Sequence, residues 1–321
     1  MRNYTSVLGG FITGLVAQKQ ACGYRYENEA YILASFDHLC VEHGPTEPTI
    51  TRDLVMKWAI QRPTEGKNHR NGRVSIVRQL ALYMRSLGIE AYVPSQFASA
   101  TKAAPHIFTQ PQLQGFFAAV DAYYPAQRAF RRLSPTYQVL FRLFYCCGLR
   151  LSEACFLRRH CVDLDRGTLK IQQSKGDKDR LVFLAADVCR MCRRYDVYMD
   201  SLIPHREWYF PGRAPDRPFG KTSLDKKFSE FWMKTAFAGT TDRKPTIQSL
   251  RHTFVVDRMN EWMDKNVDTG VMMPYLSRYL GHSSIAETQY YYHAIERAFS
   301  VVRKRDNVSA GIIPEVVVYE S

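Results

Sequence analysis

Between Gln248 and His293 the chain reads QSLRHTF, then YLGHSS, then ETQYYYHA, so Arg251, His282 and Tyr291 stand 31 and nine residues apart. A phenol is a nucleophile, and an arginine with a histidine can hold a phosphate and stabilise the charge that grows on it under attack. These residue types suit phosphodiester cleavage through a covalent tyrosine ester. Elsewhere, Arg150 follows Gly148 in GLRLSEA, and Lys175 lies in the polar turn SKGDKD. Such a site needs helices and turns that bring four distant stretches together.

The rest of the chain is compatible with a nucleic-acid substrate. Its 321 residues are enough for two domains with separate cores, and 45% apolar content with 13% aromatics excludes a disordered tail. A net charge of +13 predicts attraction to polyanions. Residues 1–100 hold 11 Lys and Arg against 8 Asp and Glu, leaving 33 against 23 beyond them, so most of the excess accompanies the candidate site. No 18-residue apolar span occurs, which predicts a cytoplasmic protein without a membrane partner. Eight cysteines include a CxxC at Cys189 and Cys192, downstream of Cys155, His160 and Cys161. The pair falls in a helical pattern, where such cysteines serve as small core residues, and no second tight pair completes four ligands; no metal is expected.

Helical spacing predicts an N-terminal domain over 1–93 with helices near 4–21, 27–43, 52–61 and 73–87, Thr51 capping the third and Gly88 stopping the fourth. Between the last two lies GKNHRNGR, with Lys67, His69, Arg70 and Arg73. It reads either as a loop gripping DNA phosphates at a helix N-terminus or as a solvated turn. Residues 94–106, proline-flanked and small, read as a linker. A second domain follows over 107–300. Thr109-Gln-Pro-Gln112 forms a capping-box signature, Ser134-Pro135 opens a helix that Gly148 closes, and Ser152 is placed to cap the next. Residues 168–173 and 180–184 alternate as a hairpin with Lys175 near its tip, and helices resume at 186–201, 222–237, 249–264, 272–280 and 284–297. The tail 301–321 ends in IIPEVVVYES, apolar and β-branched, suited to docking on its own chain or on a neighbouring protomer. The fold class is mainly α with a small β-sheet, α+β.

Taken in order, GLRLSEA, SKGDKDRLVFL, SLRHTF, LGHSS and ETQYYYH resemble the tyrosine recombinases, or phage-type integrases, across roughly residues 107–300. The resemblance implies a helical DNA-binding, core-binding domain ahead of a catalytic domain. It implies Arg150 and Arg251 as phosphate-binding arginines, Lys175 as general acid for the leaving 5′-hydroxyl, His282 as a phosphate hydrogen-bond donor and Tyr291 as nucleophile. Such an enzyme exchanges strands through a 3′-phosphotyrosine intermediate and a Holliday junction. Four protomers act on two sites in double-stranded DNA, without metal, cofactor or ATP, and sister recombinases or DNA-bending factors can take part. Mobile-element movement and chromosome or plasmid maintenance are the expected settings.

One position departs from the pattern. Gln248 stands where the family usually has histidine or lysine, and an amide can bond a phosphate oxygen but cannot take a proton near neutral pH. A DNA-binding accessory protein of the same fold that no longer cuts, and a topoisomerase of type IB character, are the alternative expectations. Residue by residue the structural readings are ordinary: Arg150 as a complement to a helix dipole, Lys175 as a hairpin-tip lysine, His282 as a turn residue, the tyrosines as packing. Their order makes the catalytic reading the better one. His252, about 100° around a helix from Arg251, reads as a core residue outside the site, and Glu153 as the residue that orients Arg150.

Overall fold

The computed structural model describes residues 3–95, 105–172, 179–282 and 284–291. Lys175, most of the 94–106 linker and the 301–321 tail lie outside them. The chain divides into two compact units, residues 1–103 and 104–321.

In the first unit, helices α1 (Gly9–Ala21), α2 (Glu27–His43), α3 (Arg52–Trp58) and α4 (Lys67–Ser86) enclose a core that includes Leu33, Phe36, Trp58, Leu80 and Met84. Thr51 caps α3, its hydroxyl accepting from the Leu54 N–H at 3.2 Å. The GKNHRNGR stretch corrects the sequence reading, because it forms the opening turns of α4 rather than a loop. The apolar spacing that marks this helix starts only at Val74, so its polar first turns carried no periodic signal.

Arg73 is likewise corrected. It is buried, paired with Glu65 through Nη2 to Oε2 at 2.8 Å and Nε to Oε1 at 3.0 Å, and donates to the carbonyls of Trp58 and Ile60. Its guanidinium lies 4.5 Å from the centre of the Trp58 ring. Bound this way, it ties α4 to the end of α3 and has no face to offer a phosphate. Lys67 and His69 are exposed at the start of α4, and Arg70 is half-buried.

The second unit holds α5 (Gln110–Asp121), α6 (Leu133–Cys147), α7 (Leu151–Cys155), α8 (Ala186–Leu202), α9 (Lys221–Met233), α10 (Ile247–Asp264), α11 (Thr269–Leu280) and α12 (Ala286–Gln289). Its antiparallel sheet runs in the order β1 (Val162–Asp163), β2 (Thr168–Ile171), β3 (Arg180–Phe183), with Leu169 opposite Val182 and Ile171 opposite Arg180. Leu169, Ile171 and Val182 turn their side chains into the core, which Phe116, Phe141, Phe228, Phe231 and Trp232 dominate. The two-residue β1 was too short to show as alternation.

Thr109 makes the expected capping box with Gln112. Ser152 does not cap α7; Arg150 occupies the N-cap position, and the Glu153 carboxylate accepts its backbone N–H at 2.8 Å. Cys189 and Cys192 both sit in α8, and burial pushes the Cys192 thiol up to about 12, as suits a core residue. Among the described residues no cluster of three or more His, Cys, Asp or Glu is arranged to hold a metal, and no helix is long and apolar enough to cross a membrane.

Candidate active site

Two helix ends frame the site. Helix α6 ends at Gly148 with φ +60, and α11 ends at Gly281 with φ +66. The left-handed conformation is open to glycine at little cost, and here space also demands it. A Cβ on Gly148 would lie 2.8 Å from the Phe254 ring, and one on Gly281 would lie 3.0 Å from Arg180 Nη1 and 3.3 Å from Arg150 Nη1. Past Gly281, the His282 N–H returns to the Ser277 carbonyl at 3.0 Å, which sets the direction in which the histidine leaves the helix. The Gly281→Ala variant is expected to lose about 1–2 kcal/mol of stability from the left-handed backbone alone, measured by urea unfolding, while also pushing on both arginines.

Arg251 lies on α10, which packs along α6, and it is 1% exposed. Its guanidinium is held by protein acceptors: Nη1 donates to the Gly148 carbonyl, and Nη2 donates to the Leu280 carbonyl at 2.8 Å and approaches His282 Nε2 at 3.1 Å. Burial, then the neighbouring charge of Arg150, lowers its pKa to about 10, so it stays protonated at neutral pH. Arg150 reaches the same place from the start of α7. Its Nη2 donates to the Gly281 carbonyl at 2.6 Å and its Nη1 to Glu153 Oε1 at 2.9 Å.

Glu153 also receives a bidentate pair from Arg180 at 2.8 Å each, and Arg180 Nε donates to the Tyr279 carbonyl at 2.7 Å. Burial alone would raise the Glu153 carboxyl, but Arg180 and Arg150 overrule it and hold it at about 2. One carboxylate therefore joins β3, α7 and, through Arg180, the end of α11.

The proton on His282 can be assigned. Arginine only donates, so Nε2 accepts from Arg251 and the proton resides on Nδ1, which donates to Thr288 Oγ1 at 2.7 Å. Burial, then the charge of Arg251, brings the ring's pKa down to about 4, leaving it neutral. Thr288 is fully buried in α12, one turn before Tyr291.

Tyr291 is 4% exposed, packed with Val255, Val256, Met259, Met273, Leu276 and Leu280. Burial raises its pKa, while Arg251 and Arg150 pull against that rise. Its ring stands parallel to that of His282, 6.4 Å centre to centre.

Arg150, Arg251, His282 and Tyr291 thus come from four elements into one neighbourhood. Gln248 is exposed on the first turn of α10, three residues before Arg251. Lys175 lies outside the described residues, as do Tyr292 and His293. His252 corrects the sequence reading: its Nδ1 lies 2.6 Å from Tyr291 Oη. Helical geometry does turn it away from Arg251, but Tyr291 arrives on that other face, and one helix's periodicity cannot report an arriving element. Arg180 was seen only as a strand residue, and Thr288 not at all. The signals available were the spacing of Thr288, three residues before the tyrosine, and a charged Arg180 in an otherwise apolar strand.

The phage integrase family model matches residues 108–297. The chain is 29% identical over 260 residues to y4rB of Sinorhizobium fredii, named as an integrase/recombinase, a match covering 76% of this chain and 80% of that one. It is 29% identical over 156 residues to the tyrosine recombinase XerC of Chlamydia muridarum, covering 48% and 45%. In fold it resembles the Tn1549 transposon integrase in complex with a circular intermediate DNA, with a TM-score of 0.65, 14% identity and coverage of 92% and 99%. It also resembles the XerH site-specific recombinase bound to its difH substrate, with a TM-score of 0.60, 17% identity and coverage of 89% and 79%.

Proposed function

The chain belongs to the phage integrase family, and from that premise we propose that it is a site-specific recombinase that cuts and rejoins double-stranded DNA through a 3′-phosphotyrosine on Tyr291. The observation that carries this reading is the convergence of two arginines, a neutral histidine and a phenol drawn from residues 150 to 291, with Arg251 bonded to His282 and its charge acting on Tyr291.

In this reading the guanidinium forks of Arg150 and Arg251 take the non-bridging oxygens of the scissile phosphate and stabilise the phosphorane-like transition state. Tyr291 Oη forms the bond to phosphorus as the bond to O5′ breaks, and Lys175 supplies the proton that the leaving alkoxide needs. His282, its Nδ1–H held by Thr288 and its Nε2 accepting from Arg251, orients that guanidinium rather than donating to the phosphate itself. Gln248, too weakly basic to take a proton, is left a hydrogen-bonding role. The ester conserves bond energy, so rejoining consumes no ATP. The helical unit around α4, with Lys67 and His69 exposed at its start and Arg70 behind them, contributes DNA backbone contacts. Four protomers on two sites, serving a mobile element or chromosome or plasmid maintenance, complete the proposal.

The test begins with a duplex that this protein selects from a random-sequence library. The duplex is then nicked at successive positions so that a cut releases a short strand and traps the intermediate. An SDS-resistant adduct is expected, with the attached peptide mapping to Tyr291. Tight binding with no adduct at any nick position would instead favour a non-cutting accessory protein. Relaxation of a supercoiled plasmid lacking paired sites would favour the topoisomerase.

A further inference from the structure

Resting on that reading, we propose that His252 is a catalytic residue of the cleavage step, accepting the proton of Tyr291 Oη as the phenol attacks phosphorus. The residue three positions before Arg251, where a base would be sought, is an amide exposed on α10. The imidazole that does touch the nucleophile is the one next to Arg251, with Nδ1 2.6 Å from Oη and the ring centres 5.3 Å apart. No other described contact of Tyr291 Oη offers an imidazole, because His282 has Nδ1 on Thr288 and Nε2 on Arg251.

The arrangement meets the requirements of a general base. A phenol donating to Nδ1 fixes the ring proton on Nε2, so the accepting lone pair already points at the proton to be moved. The imidazole is neutral at physiological pH, since burial and then Arg251 hold its pKa near 4. The same charge that depresses it is offset when a phosphodiester anion binds the arginines. The ring therefore becomes a better base as substrate seats. The charges of Arg251 and Arg150 act on Tyr291 as well, pulling its phenol pKa down against burial and so easing loss of the proton that His252 accepts.

The step balances. The Oη–H pair becomes the Oη–P bond, the proton passes to Nδ1, the P–O5′ bond breaks, and O5′ takes a proton from the general acid. In rejoining, the 5′-hydroxyl attacks phosphorus and gives its proton back to the general acid, the Oη–P bond breaks, and His252 returns its proton to the departing phenolate. Tyr291 is regenerated without an external acid.

The measurement is single-turnover adduct formation on the selected, nicked duplex. Wild type is compared with His252→Asn, which can keep a hydrogen bond to Oη but not the proton, and with His252→Ala. Each protein also meets the same duplex carrying a 5′-bridging phosphorothiolate, whose thiolate leaves without needing a proton. Both variants are expected to lose about 10²-fold or more in rate while keeping wild-type DNA binding, with His252→Asn also keeping the wild-type melting temperature, and the sulfur substrate should restore neither. A Lys175→Ala control should be restored.

Three results would overturn the proposal: wild-type rates in both variants, recovery on the phosphorothiolate, which assigns His252 to the leaving group, or faster cutting by His252→Ala, which makes the contact a restraint on the phenol. If melting shows His252→Ala to be unfolded, His252→Asn decides between these results. Failure of wild type itself to form any adduct would instead count against the recombinase reading.

Discussion

Arg251→Lys is expected to slow adduct formation by about 10³-fold at saturating DNA, with binding changed only a few-fold. Arg251 is 1% exposed and spans the Gly148 and Leu280 carbonyls and His282 Nε2. A planar fork can do this while turning an edge to a phosphate, whereas an ammonium on a flexible stem is a single point of charge. The burial that already lowers the arginine to about 10 would depress a lysine from a lower start, so part of the charge would vanish as well. Removing it also strips His282 of the donor that fixes its tautomer. Single-turnover cutting of the nicked duplex, with binding followed by gel shift, separates the two effects. A rate within tenfold of wild type would mean that this arginine holds helix ends together and does not touch the reacting phosphate.

What could be read in advance follows from where each signal resides. Helices with a buried stripe, such as α2 and α6, stood out because apolar periodicity is a local property. The chain ends of α6 and α11 were legible because Gly148 and Gly281 satisfy a backbone conformation that other residues resist. The start of α4 was not legible: its first turns are polar, and what secures them is Arg73, a charged residue buried by Glu65 and the end of α3. A basic residue in a glycine-rich stretch looks like a DNA contact until its partner is seen, and that partner lies eight residues upstream.

The candidate site divides along the same line. Arg150, Arg251, His282 and Tyr291 were found because their order and spacing survive in the linear text. The residues that touch or position them were not, apart from Glu153. Arg180, Thr288 and His252 act through contacts between elements, 27, six and 39 residues from their partners. Nothing in a single helix or strand records such a contact. The geometry of α10 alone even pointed away from His252, since about 100° from Arg251 it reads as a core residue outside the site.

Glu153→Gln should be the most damaging change that touches no reacting atom. Glu153 is 8% exposed, and its carboxylate carries two arginines, Arg180 on both oxygens and Arg150 on Oε1, besides the Arg150 backbone N–H. Removing one partner of a buried ion pair leaves the other charge uncompensated, at a cost of about 3–5 kcal/mol, and an amide adds N–H groups that face guanidinium donors. The pH dependence fixes the cause. The carboxyl sits at about 2 in the folded protein against an ordinary 4.5, a depressed value, so its stabilisation is complete above about pH 4.5 and is lost as pH falls toward 2. Urea unfolding of wild type and Glu153→Gln should therefore differ fully at pH 7 and converge as the acid limit is approached. A difference that persisted unchanged at low pH would trace the loss to packing. Cutting should fall together with stability, because Arg150 would keep the Gly281 carbonyl as an anchor but lose the carboxylate that aims its other nitrogen. Restoring stability with added osmolyte without restoring the rate would separate that aim from the fold.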